Sequence, residues 1–190
     1  MVIVVAALIG ILLIRVGGAD LRRLSDLPIR HVWLVWLAIG VQVGVLSLLA
    51  DDVAGRVGDG VHLATYGLAI AFMAVNRRIR GMWIIGLGTA TNVSAIIANG
   101  GVMPASATAW RFAGRQVSNG FSNSLPIDHP RLLVLGDIFA LPAGWPLANV
   151  FSIGDVLIVW GLVWMTSHWC HRTAAEVAPE LEPNGSARRV

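Results

Sequence analysis

The sequence contains no lysine: all 14 basic residues in its 190 are arginine. That absence removes Schiff-base and Ser–Lys chemistry, and with them the lysine of a phosphate-binding P-loop. Cysteine is nearly absent as well. A single Cys170 excludes an internal disulfide and any CxxC redox or metal pair. Charge is scarce: 13% of residues are charged, where a soluble domain carries roughly 25%. Glutamate occurs only at Glu176, Glu180 and Glu182, near the C-terminal end. What fills the chain is apolar, at 56% hydrophobic residues with a mean hydropathy of +0.71. This composition argues against a water-soluble enzyme, a disordered chain and a secreted disulfide scaffold, and predicts an all-α polytopic membrane protein. The isoelectric point near 10.4 does not imply a nucleic-acid partner, because arginine in a membrane protein fixes topology against anionic headgroups.

A span needs about 20 mainly apolar residues, with tolerance for shorter ones. Five runs qualify, at about 1–16, 31–50, 61–75, 82–98 and 153–171. The first has no basic n-region and no small-residue cleavage site, so it reads as a span and not as a signal peptide. Arginine sorts the connections. Arg15, Arg22, Arg23 and Arg30 follow the first span, Arg77, Arg78 and Arg80 form the third connection, and Arg172, Arg188 and Arg189 lie in the tail. The alternate connections hold Arg56 among Asp51, Asp52 and Asp59, and then Arg111, Arg115 and Arg131 over a long stretch. The positive-inside rule puts the N-terminus outside, the C-terminus inside and segment 99–152 outside. The expected organisation is one membrane domain over 1–172 and a disordered cytoplasmic tail over 173–190.

The outer segment is the expected functional part, because long connections are uncommon in a compact chain. It opens on the turn Asn99-Gly100-Gly101. From Ala105 to Val117, Trp110 and Phe112 interleave with Arg111 and Arg115, which suits a helix lying in the membrane interface. Two carboxylates stand out further on, Asp137 after an apolar run and Asp155 at the start of the last span. Two acids meeting in low dielectric cannot both ionise comfortably, so one keeps a proton. That is the requirement of an aspartyl peptidase, in which one acid activates water and the other protonates the carbonyl. Both residues could equally be caps, with Asp155 at the N-cap of the last helix.

The stretch around these residues resembles the active-site region of lipoprotein signal peptidase, or signal peptidase II. Leu135-Gly136-Asp137-Ile138-Phe139 matches that family's first Asp motif, Gly144-Trp145-Pro146 its Gly-Trp-Pro loop, and Phe151-Ser152-Ile153-Gly154-Asp155 its second Asp motif. The resemblance implies a catalytic pair, Asp137 and Asp155, acting on a membrane-anchored protein or lipoprotein on the extracytoplasmic face. It covers about twenty residues. Ser152 stands where the family has Asn and Gly154 where it has Ala, and five spans are expected against the family's four. Over its whole length the chain is similar to an uncharacterised family of small bacterial membrane proteins. The shared features are Gly17-Gly18, the segment Asn99 to Pro104, Gly136-Asp137-Ile138-Phe139 and Phe151-Ser152-Ile153-Gly154-Asp155. That similarity implies a multi-pass protein of the bacterial cytoplasmic membrane.

Asn99, Gly100, Ser152 and Asn92 are the expected substrate-holding residues around the acids. Thr89, Asn92 and Asn99 share a helical face, which could line a pocket or form interhelical hydrogen bonds, and Gly86 and Gly88 allow close helix contact there. His168, Cys170 and His171 do not complete a tetrahedral zinc site. The spacing of Asp51, Asp52 and Asp59 is not that of a calcium loop. The tryptophans near span ends read as interface anchors. No metal or organic cofactor is expected, and the oligomeric state is left open. Alternatives to the peptidase are a non-enzymatic assembly partner, docking through Trp110, Phe112 and Trp145, and a small transporter with Asn92 and Asp155 on a polar path.

Overall fold

The computed structural model describes residues 2–48, 51–116 and 124–171. The tail expected over 173–190 lies outside them. The chain is mostly helical. Its long helices are α1 (Val2–Val16), α2 (Trp33–Leu48), α3 (Asp51–Val75), α4 (Met82–Ala98) and α6 (Ile153–His171). A short α5 (Ala107–Phe112) and four two-residue strands lie between α4 and α6: β1 (Met103–Pro104), β2 (Ser124–Leu125), β3 (Phe139–Ala140) and β4 (Val150–Phe151). β1 pairs with β2 in parallel, and β3 pairs with β4 antiparallel.

Helices stand at all five positions where the apolar runs predict spans. Five membrane-crossing helices do not follow from that, because length and composition must both suffice. Among the described residues only α6, with 19 residues, is long and apolar enough. The apolar stretches Ile3–Val16, Ala64–Val75 and Met82–Ala98 are shorter. At 1.5 Å per residue, a 15-residue helix such as α1 covers about 22 Å of a hydrocarbon core of about 30 Å. α3 also begins earlier than expected, at Asp51, so Asp51, Asp52 and Asp59 belong to a helix and not to a loop. Acidic residues are favoured in a helix's first turn, and this offsets the polar composition there.

α4 and α6 pack antiparallel, and glycine sets how closely. Gly81 and Gly88 on the α4 side meet Gly161 and Gly154 of α6, each pair seven residues apart. A methyl at Gly81 would sit 2.9 Å from the Gly161 carbonyl, and one at Gly154 would sit 2.6 Å from the Gly88 carbonyl. Side chains larger than hydrogen would force these backbones apart, the geometry that small residues permit in membrane helix pairs. α1 joins the same helix, with Gly10 directly against Val163.

The apolar core is divided along this axis. At one end Met73, Ile79, Met82 and Met165 pack with Leu27, Ile29 and Phe72. Ala95, Ile96 and Met103 pack with Tyr66 and Leu135 toward the other end. A third cluster, Ala105, Ala109, Trp110, Ala113 and Val150, belongs to the segment between α4 and α6. This corrects the expected interface helix: Trp110 is core, while Phe112 is exposed. A six-residue helix has too few turns to present a separate lipid face. Ala109 and Trp110 are its buried residues.

Candidate functional site

The turn after α4 starts the site. Asn99 is the C-cap of α4, and Gly100 and Gly101 both have positive φ, at 70° and 102°. Gly101 N–H donates to the Ile96 carbonyl at 2.9 Å and Gly100 N–H to that of Ile97 at 3.3 Å. These paired bonds form a Schellman stop, which glycine accommodates without strain. The Asn99 side chain holds a distant peptide: its Nδ2 donates to the Arg131 carbonyl at 2.7 Å, and its Oδ1 accepts from the Arg131 N–H at 2.8 Å. Nδ2 also donates to the Ala95 carbonyl at 2.7 Å. Asn99 and Gly100 thus close a helix and pin the segment between α4 and α6, apart from the hydrogen-bonded group that surrounds Asp155.

Asp137 is positioned by backbone. Its N–H donates to the Pro104 carbonyl at 2.9 Å, and its carbonyl accepts from the Ser106 N–H at 2.9 Å. The residue therefore bridges Ala105 as an extension of β1. Gly136 makes this approach possible, because a side chain there would strike the Pro104 carbonyl. The residue is buried, at 6% exposure.

Asp155 is positioned by a helix terminus. Ser152, fully buried, precedes α6 and accepts from the Asp155 N–H through its hydroxyl at 3.0 Å. Asp155 Oδ2 in return accepts from the Ser152 N–H at 3.0 Å. The reciprocal pair is a capping box. Ser152 is thus the N-cap, and Asp155 is the partner three residues on; the expectation of Asp155 itself as N-cap is corrected by one turn. Asn92 of α4 completes the group. Its Nδ2 donates to Asp155 Oδ1 at 2.8 Å, and its Oδ1 accepts from the Ser152 hydroxyl at 2.8 Å. Gly154 must be glycine here, since a methyl group would collide with Asn92 Oδ1.

The β3–β4 hairpin brings the two acids together. Phe139 pairs with Phe151 in register, their rings stacked at 5.5 Å between centroids. Asp137 lies two residues before this pair and Asp155 four residues after it, so both project from the same end of the hairpin. The acids are within electrostatic reach. The Asp137 pKa is raised to about 6, first by burial; Ser124 opposes this with a hydrogen bond, Asp155 adds repulsion, and Arg115 opposes it with its charge. Arg115 lies with its guanidinium 4.8 Å from the Trp110 ring centroid and donates to Asn149 Oδ1 at 2.7 Å.

Of the residues expected at the site, Asp137, Asp155, Asn92 and Ser152 are brought together. Ser124 and Arg115 join them and are not legible as site residues in the sequence. Ser124 lies in an unpatterned Ser/Asn stretch, and Arg115 looks like one more surface arginine. Asn76 lies in no motif either. It repeats the Asn99 arrangement at the opposite end, donating to the Arg30 carbonyl at 2.9 Å and accepting from the Arg30 N–H at 2.8 Å. Among the described residues there is no group of three or more potential metal ligands.

These features fall within one sequence family. The chain belongs to DUF5317, a family of unknown function, whose profile matches residues 26–167. The match spans α2 to α6 and includes both acids and their partners. No curated protein and no solved structure matches the chain.

Proposed function

We propose that the chain is an integral membrane protein and that Asp137 and Asp155 are the general acid and base of a peptide hydrolase at its outer face. The membrane reading rests on where apolar side chains point, and its orientation, N-terminus outside and C-terminus inside, on the arginine-rich connections. Leu8 and Leu12 of α1, Trp36 of α2, Leu87 of α4 and Trp160 of α6 are all exposed. Only 33% of the apolar window in α6 is buried inside the protein, whereas a soluble core helix would be mostly covered. The shorter helices cross by local bilayer thinning, and Arg15 extends α1 by reaching toward the headgroups.

The hydrolase reading is carried by one observation: a buried carboxyl, Asp137, with a raised pKa lies within electrostatic reach of a second carboxyl, Asp155, that is fixed by hydrogen bonds. Asp137 has its pKa raised to about 6 in a buried setting. Asp155 accepts an N–H on each oxygen, the bonding pattern of a carboxylate. A buried acid with a raised pKa suits the proton donor, and the hydrogen-bonded partner the base. Asp155 takes a proton from water as its oxygen attacks the carbonyl carbon. Asp137 gives its proton to the carbonyl oxygen; the tetrahedral gem-diol then collapses as the C–N bond breaks, Asp155 passing the proton it took from water to the leaving amine and Asp137 recovering one from a gem-diol hydroxyl. The local resemblance to lipoprotein signal peptidase supports the same assignment and suggests a membrane-anchored protein as substrate.

The test is cleavage of membrane-anchored peptides by the purified protein in proteoliposomes. Asp137→Asn and Asp155→Asn should each lower the rate by about 10² to 10⁴-fold, the usual contribution of a positioned acid or base. Unchanged cleavage in either folded variant refutes the dyad. A second reading, a non-enzymatic assembly partner, is favoured by the capping box, which gives Asp155 a structural task in closing α6. Under it, both Asn variants keep function, and loss of the exposed Trp145 does not.

A further inference from the structure

The arginines of the first and third connections are far apart in sequence, yet the fold gathers them at one end of the bundle. Ile79 is the plug. Flanked by Arg78 and Arg80, it is buried in the cluster with Met73, Met82 and Met165, which leaves both neighbours exposed. Leu27 and Ile29 pack on the same cluster and so deliver Arg30. The Asn76 side chain then fixes the Arg30 peptide directly beside Arg77, through bonds of 2.8 and 2.9 Å. The turn Leu21–Asp26, carrying Arg22, is tied to the end of α6 by Trp169, whose Nε1 donates to the Arg23 carbonyl at 2.7 Å.

Arg15, Arg22, Arg30, Arg77, Arg78 and Arg80 are all exposed. Among the described residues none of them forms an ion pair. The nearby acids in sequence are engaged locally, Asp20 with the Arg22 N–H and Asp26 with the Ser25 hydroxyl. Each basic segment is followed three residues later by an exposed tryptophan: Trp33 after Arg30 and Trp83 after Arg80. Tryptophan at a helix entrance marks the headgroup boundary, and arginine one turn earlier lies at phosphate depth. An all-arginine set offers planar forks that bind phosphate by two bonds at once.

From this we propose that the arginine end of the bundle is a binding site for anionic phospholipid headgroups, with Arg30 and Arg77, joined through Asn76, at its centre. The proposal rests on the membrane reading and is independent of the acid pair. The test uses the full chain reconstituted in vesicles containing equal amounts of phosphatidylglycerol and phosphatidylcholine. Alkaline carbonate extraction first reports insertion. Native mass spectrometry then counts the two lipids that remain bound after gentle detergent release.

Wild type should retain phosphatidylglycerol over phosphatidylcholine. Arg30→Gln and Arg77→Gln should each lower that preference by about fivefold, the equivalent of one cation at an anionic surface. Arg77→Lys should restore only part of it, and Arg111→Gln, on the opposite side, should leave it unchanged. Retention of both lipids in equal number by an inserted wild-type chain overturns the site and leaves the membrane reading standing. So does an undiminished preference in both Gln variants. A chain stripped from the vesicles by carbonate overturns the membrane reading, and the site with it.

Discussion

Asn92 and Asp155 face each other across the α4–α6 contact, the Asn92 Nδ2 donating to Asp155 Oδ1 at 2.8 Å. The same amide accepts from the Ser152 hydroxyl, so one side chain of α4 ties together the whole N-terminus of α6. Asn92→Leu leaves a carboxylate oxygen and a buried hydroxyl without their partner. It should destabilise the protein by about 1–3 kcal/mol, the cost of unsatisfied buried groups. Asn92→Asp should cost more, because a second carboxylate then faces Asp155. Unfolding in mixed micelles measures both.

The glycine contacts predict a size limit. Gly154→Ala should destabilise by about 1–3 kcal/mol, as overpacking a tight contact does, because the added methyl meets Asn92, Thr91 and the Gly88 carbonyl. Gly40 of α2 has nothing within 4 Å of the equivalent position. Gly40→Ala should therefore be neutral or stabilise by up to about 1 kcal/mol through helix propensity. The same unfolding assay distinguishes the two.

The raised Asp137 pKa makes stability fall as pH rises. Below about 3.8 the carboxyl is protonated in both folded and unfolded chains, and this contribution is fully present. Between 3.8 and about 6 the unfolded chain loses its proton first, so stability declines. Above 6 both states are ionised and the loss levels off at roughly 3 kcal/mol. Asp137→Asn should abolish that slope and make the protein more stable than wild type at pH 7. Unfolding free energies from pH 4 to 8 measure it.

Two asparagines hold remote arginine peptides by the same pair of bonds. Asn76→Asp and Asn99→Asp keep size but lose the donor. Each should cost about 1–3 kcal/mol, and proteolysis should locate the opening: before α2 for Asn76 and near Arg131 for Asn99. Limited trypsin digestion, which cuts after arginine, provides that readout.

The long helices are legible because apolar composition alone marks them. The α3 start is not, since Asp51, Asp52, Arg56 and Asp59 read as a loop although the helix runs through them. The capping box is in the sequence as Ser152 followed three residues later by Asp155, but only the helix start at Ile153 distinguishes it from a cap at Asp155 itself. The pairing of Gly81 and Gly88 with Gly161 and Gly154 depends on which helices touch, and so does the partner of Asn92. A single sequence carries neither fact. Trp110 shows the reverse error: an aromatic among arginines has an interfacial composition, yet the short strands around it build a core that buries its ring.

Burial first, and the nearby Asp155 second, raise the Asp137 pKa to about 6, so that its carboxyl holds a proton through the weakly acidic range. The direct measurement is an infrared titration of the protonated carboxyl band, assigned by its absence in Asp137→Asn. The account predicts a midpoint near pH 6 in the wild-type protein and a lower midpoint in Asp155→Asn, where the facing charge is gone. A midpoint near 4, or one that does not move when Asp155 is neutralised, contradicts it.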